Sequence, residues 1–532
     1  MTHAPHCSVP RVRRHGLAFA ALLASLALSA CGTLPAAVVR TPSTAMASSA
    51  DSPLVQIAQA SIPEPALSGF RLMPDGFYSL DARIELARRA THSLDLQYYL
   101  VANDRTGRLL MRSLRDAALR GVRVRLLVDD LYTAGADSMF LGLAAFPNVE
   151  VRLFNPFCCG RQDIASKYVA SIVDFRRLNH RMHNKLFVAD GAAAIMGGRN
   201  VADEYFTRSL TDNFVDMDVF IIGAVVPPLA RIFDAYWNSV QAYPIDSVVP
   251  HTIDRQEAQR DFDRLVDEGD QMAEVVPPAV DILGYGPIRD DLDSGRLGLV
   301  WGTAVAFADQ PAKVTATSAE MSRSMSVQMN IMDRVLAARS EVLISSPYFV
   351  PGASGLQQFA DLRRRDVSVA VLTNSLAATD VPSVHAGYAR YRLDLLRAGV
   401  ELHELSPSRV QKNERLMLPG ASVGRLHAKA AVIDQSVVYL GSMNLDPRSE
   451  STNTELGIVV NCPELGREVI RVITVSKLRS SYRVRRGPEG RSLEWVATEA
   501  QGDVVFTVEP EATLFMRLKN TLLAPFVPEQ LL

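Results

Sequence analysis

The chain contains the same arrangement of histidine, lysine and aspartate twice, in the stretches HNKLFVAD and HAKAAVID. Each copy has the form H-x-K-x4-D, and the six positions are His183, Lys185, Asp190, His427, Lys429 and Asp434. With ten histidines and seven lysines in 532 residues, chance would give about 0.1 H-x-K triplets. The repeat therefore indicates one chemical purpose served by both copies.

These residue types favour metal-free chemistry at a phosphorus atom. An imidazole titrates near pH 6.5, about the pH at which it can both attack phosphorus and move a proton. A lysine ammonium can hold phosphoryl oxygens in the transition state, but it cannot ligate a metal while it is protonated. Two copies are useful because one histidine can attack while the other protonates the leaving alkoxide. We therefore predict no cofactor and no metal site.

Each copy is predicted to begin a β-hairpin. His183 and Lys185 lie two positions apart and so point to one face of a strand, and Asp190-Gly191 is a turn signal. The strand after the turn must return antiparallel and bring polar side chains back beside the histidine. The residues placed there are Asn200 in the first copy and Ser442 and Asn444 in the second.

A wider duplication surrounds the two hairpins. EVLISSPYFV parallels SLDLQYYLVA, and DVSVAVLTN parallels GVRVRLLVDD, with equivalent residues 244 to 251 positions apart. In the first copy the pattern predicts helices over 79–90 and 106–120 and strands over 93–100 and 122–129. The sequence thus predicts two α/β halves, each of which supplies one histidine-lysine strand.

The two H-x-K-x4-D boxes, followed by GGRN and GSMN, resemble the phospholipase D superfamily from about residue 67 to the C-terminus. RLFNPF, DFRRLNHRMHNK, LTNSLAATDVPSVHAGYARYR and NLDPRS look like bacterial cardiolipin synthases of the C-type subgroup. The resemblance implies an α/β fold of two duplicated phospholipase D-like α/β/α sandwich domains. It also implies pseudo-twofold symmetry and one shared active site.

The resemblance also implies residue roles. His183 would form a covalent phosphatidyl-histidine, and His427 would act as general acid and then as base. Lys185, Lys429, Asn200 and Asn444 match the phosphate-holding positions, and Ser442 matches the hydroxyl of the usual G-S-x-N. Gly198 stands where the first half would have that serine. The expected histidine-orienting carboxylates are Asp216 and Glu455, while Asp190 and Asp434 are expected at turns in a structural role.

The N-terminus is predicted to be a targeting segment. Three arginines precede the apolar run 17–30, which is too short to span about 30 Å of hydrocarbon. The run ends LSAC and resembles a lipoprotein box with Cys31 as the lipidated residue, and Gly32 would favour the outer membrane, on its periplasmic side. Cleavage by ordinary signal peptidase and an uncleaved anchor stay open as alternatives.

The remaining chain is divided by composition and by the duplication. The expected units are a signal peptide over 1–31, a flexible tether over 32–66, a first domain over 67–245, an insertion over 246–320, a second domain over 321–485 and a C-terminal extension over 486–532.

Several functions use such a site. The leading prediction is a phosphatidyltransferase that moves a phosphatidyl group from a glycerophospholipid to phosphatidylglycerol. Hydrolysis, head-group exchange with ethanolamine or another small alcohol, a nuclease and a non-catalytic envelope scaffold are the alternatives. The net charge of −2 gives no overall basic field, so no nucleic-acid partner is expected. The expected partners are phospholipid substrates and a membrane surface, and protein partners are unknown.

Two weaker features have competing interpretations. Five arginines either contact a second lipid phosphate or are solvated or paired, and they are Arg176, Arg177, Arg181, Arg390 and Arg392. The stretch 512–526 is a candidate amphipathic helix that either rests on a bilayer or packs against the second half.

Overall fold

A computed structural model describes residues 34–35, 38–171, 174–249, 254–268, 279–315, 326–412, 422–526 and 528–529. The signal peptide predicted over 1–31, with its Cys31, lies outside the described residues.

The first half is built on a mixed β-sheet. Its strands are β1 Ser68–Met73, β2 Ser93–Tyr98, β3 Arg123–Asp129, β4 Val149–Phe154, β5 Leu186–Ala189, β6 Ala193–Gly197, β7 Asp212–Val215, β8 Asp218–Gly223 and β9 Ala242–Pro244. All except β7 pair in the order β1-β8-β6-β5-β2-β3-β4-β9, with β2, β3 and β4 parallel and the other neighbours antiparallel. The apolar run of β3 is almost fully buried, as expected for a parallel strand between helices.

The second half repeats this sheet. Its strands are β10 Val300–Ala308, β11 Glu341–Ser345, β12 Ser368–Asn374, β13 Glu401–Leu405, β14 Val423–Leu426, β15 Ala430–Ile433, β16 Val437–Gly441, β17 Leu456–Asn461, β18 Ser481–Arg486, β19 Leu493–Glu499 and β20 Gly502–Phe506. The order β10-β17-β16-β15-β11-β12-β13-β18 matches the first half strand for strand, including which neighbours are parallel. The predicted duplication is confirmed.

The two sheets join through equivalent strands. β1 pairs antiparallel with β10 over Ser68↔Gly302 to Phe70↔Val300. Antiparallel pairing of two equivalent strands is the arrangement that a pseudo-twofold axis between the halves produces. The join makes one continuous sheet of 18 strands within the described part of the chain.

Helices cover both faces of the sheet. They are α1 Pro53–Ser61, α2 Gly76–Arg89, α3 Arg105–Leu119, α4 Asp137–Ala144, α5 Ile164–Ser171, α6 Phe175–Leu178, α7 Val226–Trp237, α8 Ile245–Val248, α9 Arg255–Asp267, α10 Ile288–Ser294, α11 Val327–Leu336, α12 Gly352–Arg364, α13 Pro382–Ala389, α14 Arg392–Arg397, α15 Pro407–Lys412, α16 Pro447–Ser451, α17 Pro463–Arg479 and α18 Leu514–Leu523. One apolar core contains residues of both halves, among them Phe233 of α7 and Ile473 of α17. This shared core holds the halves together and confirms the predicted sandwich class.

The predicted flexible tether over 32–66 is wrong in its C-terminal part. Residues 53–61 form α1, and Leu54, Val55 and Ala58 are buried in the core of the first half. Arg40 also donates hydrogen bonds to Ala242 O and Val240 O. The abundance of small residues and proline in this segment led to the prediction of a flexible tether, although a short apolar stripe within it packs on the first domain.

Two other predicted boundaries are also wrong. β10 lies inside the expected insertion over 246–320, yet it is the second-half equivalent of β1, so the second sheet begins at Val300. The expected C-terminal extension from 486 contains β19 and β20, which continue the second sheet beyond β18. β10 was missed because its sequence does not resemble that of β1, and β19 and β20 were missed because they have no counterpart among the described strands of the first half.

Candidate active site

The two H-x-K-x4-D segments are held by the predicted hairpins. β5 pairs with β6 over Leu186↔Met196, and β15 pairs with β16 over Ala430↔Leu440. The first turn has positive φ at Asp190 and Gly191, and the register Ala189↔Ala193 makes it a tight three-residue hairpin loop. The histidines and lysines themselves lie just before β5 and β15 and not on the strands, which corrects the sequence prediction.

Each lysine folds back on its own histidine. Lys185 Nζ donates to His183 O at 2.6 Å, and Lys429 Nζ donates to His427 O at 2.5 Å. All four side chains are buried, so each cation is held in a low-dielectric pocket beside an imidazole.

Each histidine is oriented by a carboxylate of the opposite half. His183 Nδ1 lies 3.0 Å from Glu455 Oε2, and His427 Nδ1 lies 2.6 Å from Asp216 Oδ2. With Nδ1–H donated to the carboxylate, each ring keeps its lone pair on Nε2 for chemistry. The sequence predicted both carboxylates but not that the pairs cross between halves.

Backbone contacts fix this crossed arrangement. His183 N donates to Thr454 O at 2.9 Å, and His427 N donates to Val215 O at 2.8 Å. β14, just before His427, pairs in parallel with β7, just before Asp216. Lys429 also acts electrostatically on His183, and Lys185 acts on His427, so the two histidines are parts of one site built across the pseudo-twofold axis.

The two histidine-carboxylate pairs differ in the groups that surround the carboxylate. Ser442 Oγ donates to Glu455 Oε2 at 2.5 Å, and Ser449 Oγ donates to Glu455 Oε1 at 2.9 Å. In the first half a Cβ on Gly198 would lie 2.1 Å from Asp216 Oδ1. The shorter aspartate thus occupies the space that a serine would need, which is a steric reason for the glycine.

The two predicted asparagines carry polar atoms that lack protein partners. Asn200 Oδ1 and Asn444 Oδ1 are buried and accept no hydrogen bond from any described residue. Such atoms are rare in folded proteins unless another molecule satisfies them. This supports the prediction that both side chains hold substrate.

Burial and the neighbouring charges together set the protonation state of the two histidines. Burial lowers the pKa of both His183 and His427 to about 4, against the opposing effects of Glu455 and Asp216. Burial would raise the pKa of Asp216, but His427 and Lys429 lower it to about 2. At neutral pH the pairs are therefore neutral imidazoles beside ionised carboxylates, and a neutral imidazole is the nucleophilic form.

Aromatic rings that sequence reasoning missed surround the histidines. Tyr99 packs edge-on against His183 with centroids 5.0 Å apart. The ring centroids of Tyr205 and Phe214 lie 5.1 Å and 4.9 Å from that of His427. No motif marks these rings, and the only signal for Tyr99 is its place directly after β2.

Two of the five candidate phosphate-binding arginines are committed to buried ion pairs. Arg181 Nη1 lies 3.1 Å from Asp129 Oδ1, and Arg392 Nε lies 3.1 Å from Glu404 Oε1. Asp129 also accepts from Met182 N at 2.8 Å. Arg181 and Asp129 therefore hold the segment before His183, and the ion pairs of Arg181 and Arg392 support the alternative that these arginines are paired within the protein.

Asp190 and Asp434 lie at the turns, away from the imidazoles. Asp190 is 1% exposed and accepts from the backbone N–H groups of residues 91–93 at 2.9 to 3.0 Å. Asp434 accepts in the same way from the N–H groups of residues 339–341. Each aspartate ties its hairpin to the strand beside it.

Asp190→Ala is expected to destabilise the fold with little effect on the chemical step. Three backbone N–H groups, of which that of Ser93 is buried, would lose their acceptor, so the free energy of unfolding should fall by about 2 kcal/mol. Urea unfolding measures this loss, and kcat per folded molecule should stay within about threefold. A kcat loss above about 100-fold at unchanged stability would instead make Asp190 part of the chemistry.

Comparison with known proteins agrees with this geometry. The profile of the family described as "Cardiolipin synthase, PLD-like domain" matches residues 84–237 and 331–474, one match in each half. The chain belongs to this cardiolipin synthase family. Both matches of the cardiolipin synthase profile contain one H-x-K-x4-D box.

Individual relatives are consistent with the family. Cardiolipin synthase C of Escherichia coli strain K12 is 36% identical over 490 residues, which cover 89% of this chain and 98% of that protein. A cardiolipin synthase of Staphylococcus aureus strain Mu50 is 25% identical and covers 75% of this chain and 65% of that protein. The crystal structure of phosphatidylserine synthase from Haemophilus influenzae Rd KW20 covers 90% of this chain and 100% of its own, with a TM-score of 0.54 and 14% identity, and supports the fold.

The pH dependence of kcat/KM is expected to show an alkaline limb near pH 8. Burial lowers the pKa of Lys429 to about 8, so its ammonium is charged below that pH and is lost as pH rises through it. Loss of this charge should lower kcat/KM by about 100-fold. Lys429→Arg keeps a charge and should move the limb to higher pH, and an unmoved limb would contradict the assignment.

Proposed function

We propose that the protein is a phospholipid phosphatidyltransferase that moves a phosphatidyl group from a glycerophospholipid to phosphatidylglycerol and so forms cardiolipin. The observation that carries this proposal is the pair of crossed dyads, His183 with Glu455 and His427 with Asp216. Two oriented imidazoles at one site suit a double displacement at phosphorus. The names of the cardiolipin synthase relatives support the lipid substrate.

In the first step, His183 Nε2 attacks the phosphorus atom of the donor lipid. A P–N bond forms as the P–O bond to the head group breaks, and His427 protonates the departing alkoxide. The anionic diester favours protonation of an imidazole, which offsets the low pKa that burial gives His427. Glu455 and Asp216 stabilise the positive charge that each ring gains.

In the second step, His427 removes the proton from the acceptor hydroxyl. The hydroxyl oxygen attacks phosphorus, the P–N bond breaks and His183 is regenerated. Lys185, Lys429, Asn200 and Asn444 hold the phosphoryl oxygens in both steps. We place Ser442 with the orienting group, because its hydroxyl donates to Glu455.

Lipid mass spectrometry of a cardiolipin-deficient bacterial host that expresses the chain tests the proposal. Cardiolipin should appear, and it should be lost when His427 is replaced by alanine. Accumulation of phosphatidic acid would favour hydrolysis, and a new head group after addition of ethanolamine would favour exchange. If no lipid changes in any of these conditions, the proposal fails.

We also propose that the protein is anchored at the outer membrane, on the periplasmic side, through lipid on Cys31. Among the helices that the structure describes, none is both long and apolar enough to cross a bilayer. Labelled palmitate should appear on the wild-type protein and not on Cys31→Ser. Equal labelling of both proteins would overturn the anchor.

A further inference from the structure

The helix α5 has its polarity reversed relative to an ordinary surface helix. Its Lys167 is fully buried and Nζ donates to Thr133 Oγ1 at 2.8 Å, whereas Ile164, Tyr168 and Val169 are 38%, 55% and 63% exposed. A helix in water normally buries its apolar face and exposes its lysines. This surface therefore suits an apolar environment outside the protein.

The C-terminal helix α18 shows the same reversal. Asn520 is buried, while Leu514, Phe515, Leu518 and Leu522 are 75%, 73%, 54% and 61% exposed. The prediction of an amphipathic helix over 512–526 left two interpretations open. The exposed leucines show that packing against the second half does not cover this apolar face.

Both surfaces belong to the end of the sheet that carries the active site. α5 follows the carboxyl end of β4, and Tyr168 lies within electrostatic reach of Tyr132. The ring of Tyr132 packs edge-on against Tyr99, with centroids 5.3 Å apart, and Tyr99 packs against His183. Two ring contacts thus connect Tyr132 to His183, and Tyr168 of α5 lies close enough to Tyr132 to interact with it electrostatically.

The connection from α18 runs through α13. α18 packs on α13, which follows the carboxyl end of β12, and Arg390 just after α13 donates to Ala524 O. The loop before α13 carries Asp380, whose carboxylate accepts from Tyr348 OH at 2.7 Å. Tyr348 lies within electrostatic reach of Tyr132 and Tyr205, so α18 borders the same opening from the second half.

Charge indicates which apolar partner covers the two helices. α18 contains Arg517 and Lys519 and no acidic residue. Near α5, Arg176 is exposed beside Phe175, which is 53% exposed. The two acids that flank α5 are engaged within the protein, because Asp163 accepts from Ser166 N and Asp174 pairs with Arg177. Exposed apolar and aromatic side chains with flanking cations are the composition of helices that lie in the interface of an anionic bilayer.

The two helices also account for much of the exposed apolar surface. Of the twenty large apolar side chains exposed among the described residues, seven lie on α5 or on α18, and Phe175 on the neighbouring α6 is an eighth. We propose that these helices form a two-point docking surface that seats the active-site opening on an anionic phospholipid bilayer. This inference rests on the proposed lipid chemistry, because a lipid keeps its acyl chains in the bilayer while its phosphate enters the site.

The test uses the full chain with Cys31→Ser, which removes the proposed anchor. In this background, the docking variant combines Val169→Glu and Phe515→Glu and so places one negative charge on each docking helix. Folding should be unaffected, because these side chains are 63% and 73% exposed. The matched control combines Leu119→Glu and Leu478→Glu, which are 68% and 60% exposed and lie outside the docking helices. Flotation with phosphatidylglycerol and phosphatidylcholine vesicles measures binding without requiring turnover.

The docking variant should bind these vesicles at least about tenfold more weakly than its parent, and the control should bind like the parent. Turnover of monomeric short-chain phosphatidylglycerol should be equal in all three proteins. The docking surface would be overturned if the docking variant floats as well as its parent. It would also be overturned if the control loses vesicle binding to the same extent as the docking variant, or if the parent does not bind vesicles. A parent that floats but converts neither vesicle lipid nor short-chain lipid would instead overturn the proposed function.

Discussion

His183→Asn is expected to abolish phosphatidyl transfer, with kcat reduced by about 10⁴-fold or more. Asparagine cannot form the P–N bond, and the remaining positioning groups contribute only residual catalysis. The variant should still fold, because within the described part of the chain Glu455 is the only group that the His183 ring contacts by a hydrogen bond. Cardiolipin formation from labelled phosphatidylglycerol measures the loss.

His403→Asn is the matched control for this variant. His403 is also buried, at 4% exposed, but its ring lies between Glu401 on β13 and Ser481 on β18. Activity should stay within a few-fold of wild type in the control. If His183→Asn retains more than about 1% of the wild-type rate while folded, its role as the nucleophile is wrong.

Glu455→Gln and Asp216→Asn are each expected to lower kcat by about 10² to 10⁴-fold. A neutral amide in place of the carboxylate no longer stabilises the imidazolium and no longer selects the tautomer with a lone pair on Nε2. Glu85→Gln and Asp95→Asn are the controls, because these carboxylates are equally buried and ion-paired but lie away from the histidines.

The crossed pairing makes the two losses distinguishable. A phosphatidyl ester with a p-nitrophenolate leaving group needs no protonation at departure. Asp216→Asn, which impairs His427, should therefore release the first equivalent of nitrophenolate in a burst at nearly the wild-type rate, although the second step, in which His427 is the base, stays slow. Glu455→Gln, which makes His183 a poorer nucleophile, should still release nitrophenolate slowly from the same ester. If the two variants respond in the opposite way, the nucleophile is His427, and equal responses would contradict the crossed division of roles.

The hairpins and the duplication were accessible from sequence because they depend on local signals. The Asp190-Gly191 turn and the run VRVRLLV identify their structures from a few adjacent residues. The repeat of His183 and Lys185 at His427 and Lys429 then places both boxes at equivalent points of two sheets.

The features that were missed depend on contacts between distant segments. The sequence indicates Asp216 and Glu455 as acids, but each faces the histidine of the other half because of contacts between the halves, such as the pairing of β14 with β7. The rings of Tyr99 and Tyr205 are likewise defined by packing and not by spacing. A one-dimensional pattern carries no information about which half supplies a partner.

A crystal structure of the protein with vanadate tests the central claim most directly, because vanadate adopts the trigonal-bipyramidal geometry of phosphoryl transfer. We expect one vanadium atom bonded to His183 Nε2, with His427 Nε2 at the opposite apex or hydrogen-bonded to the oxygen there. Lys185, Lys429, Asn200 and Asn444 should contact the equatorial oxygens. Vanadate bound to one histidine while the other ring faces away from it would contradict a single site shared by both halves.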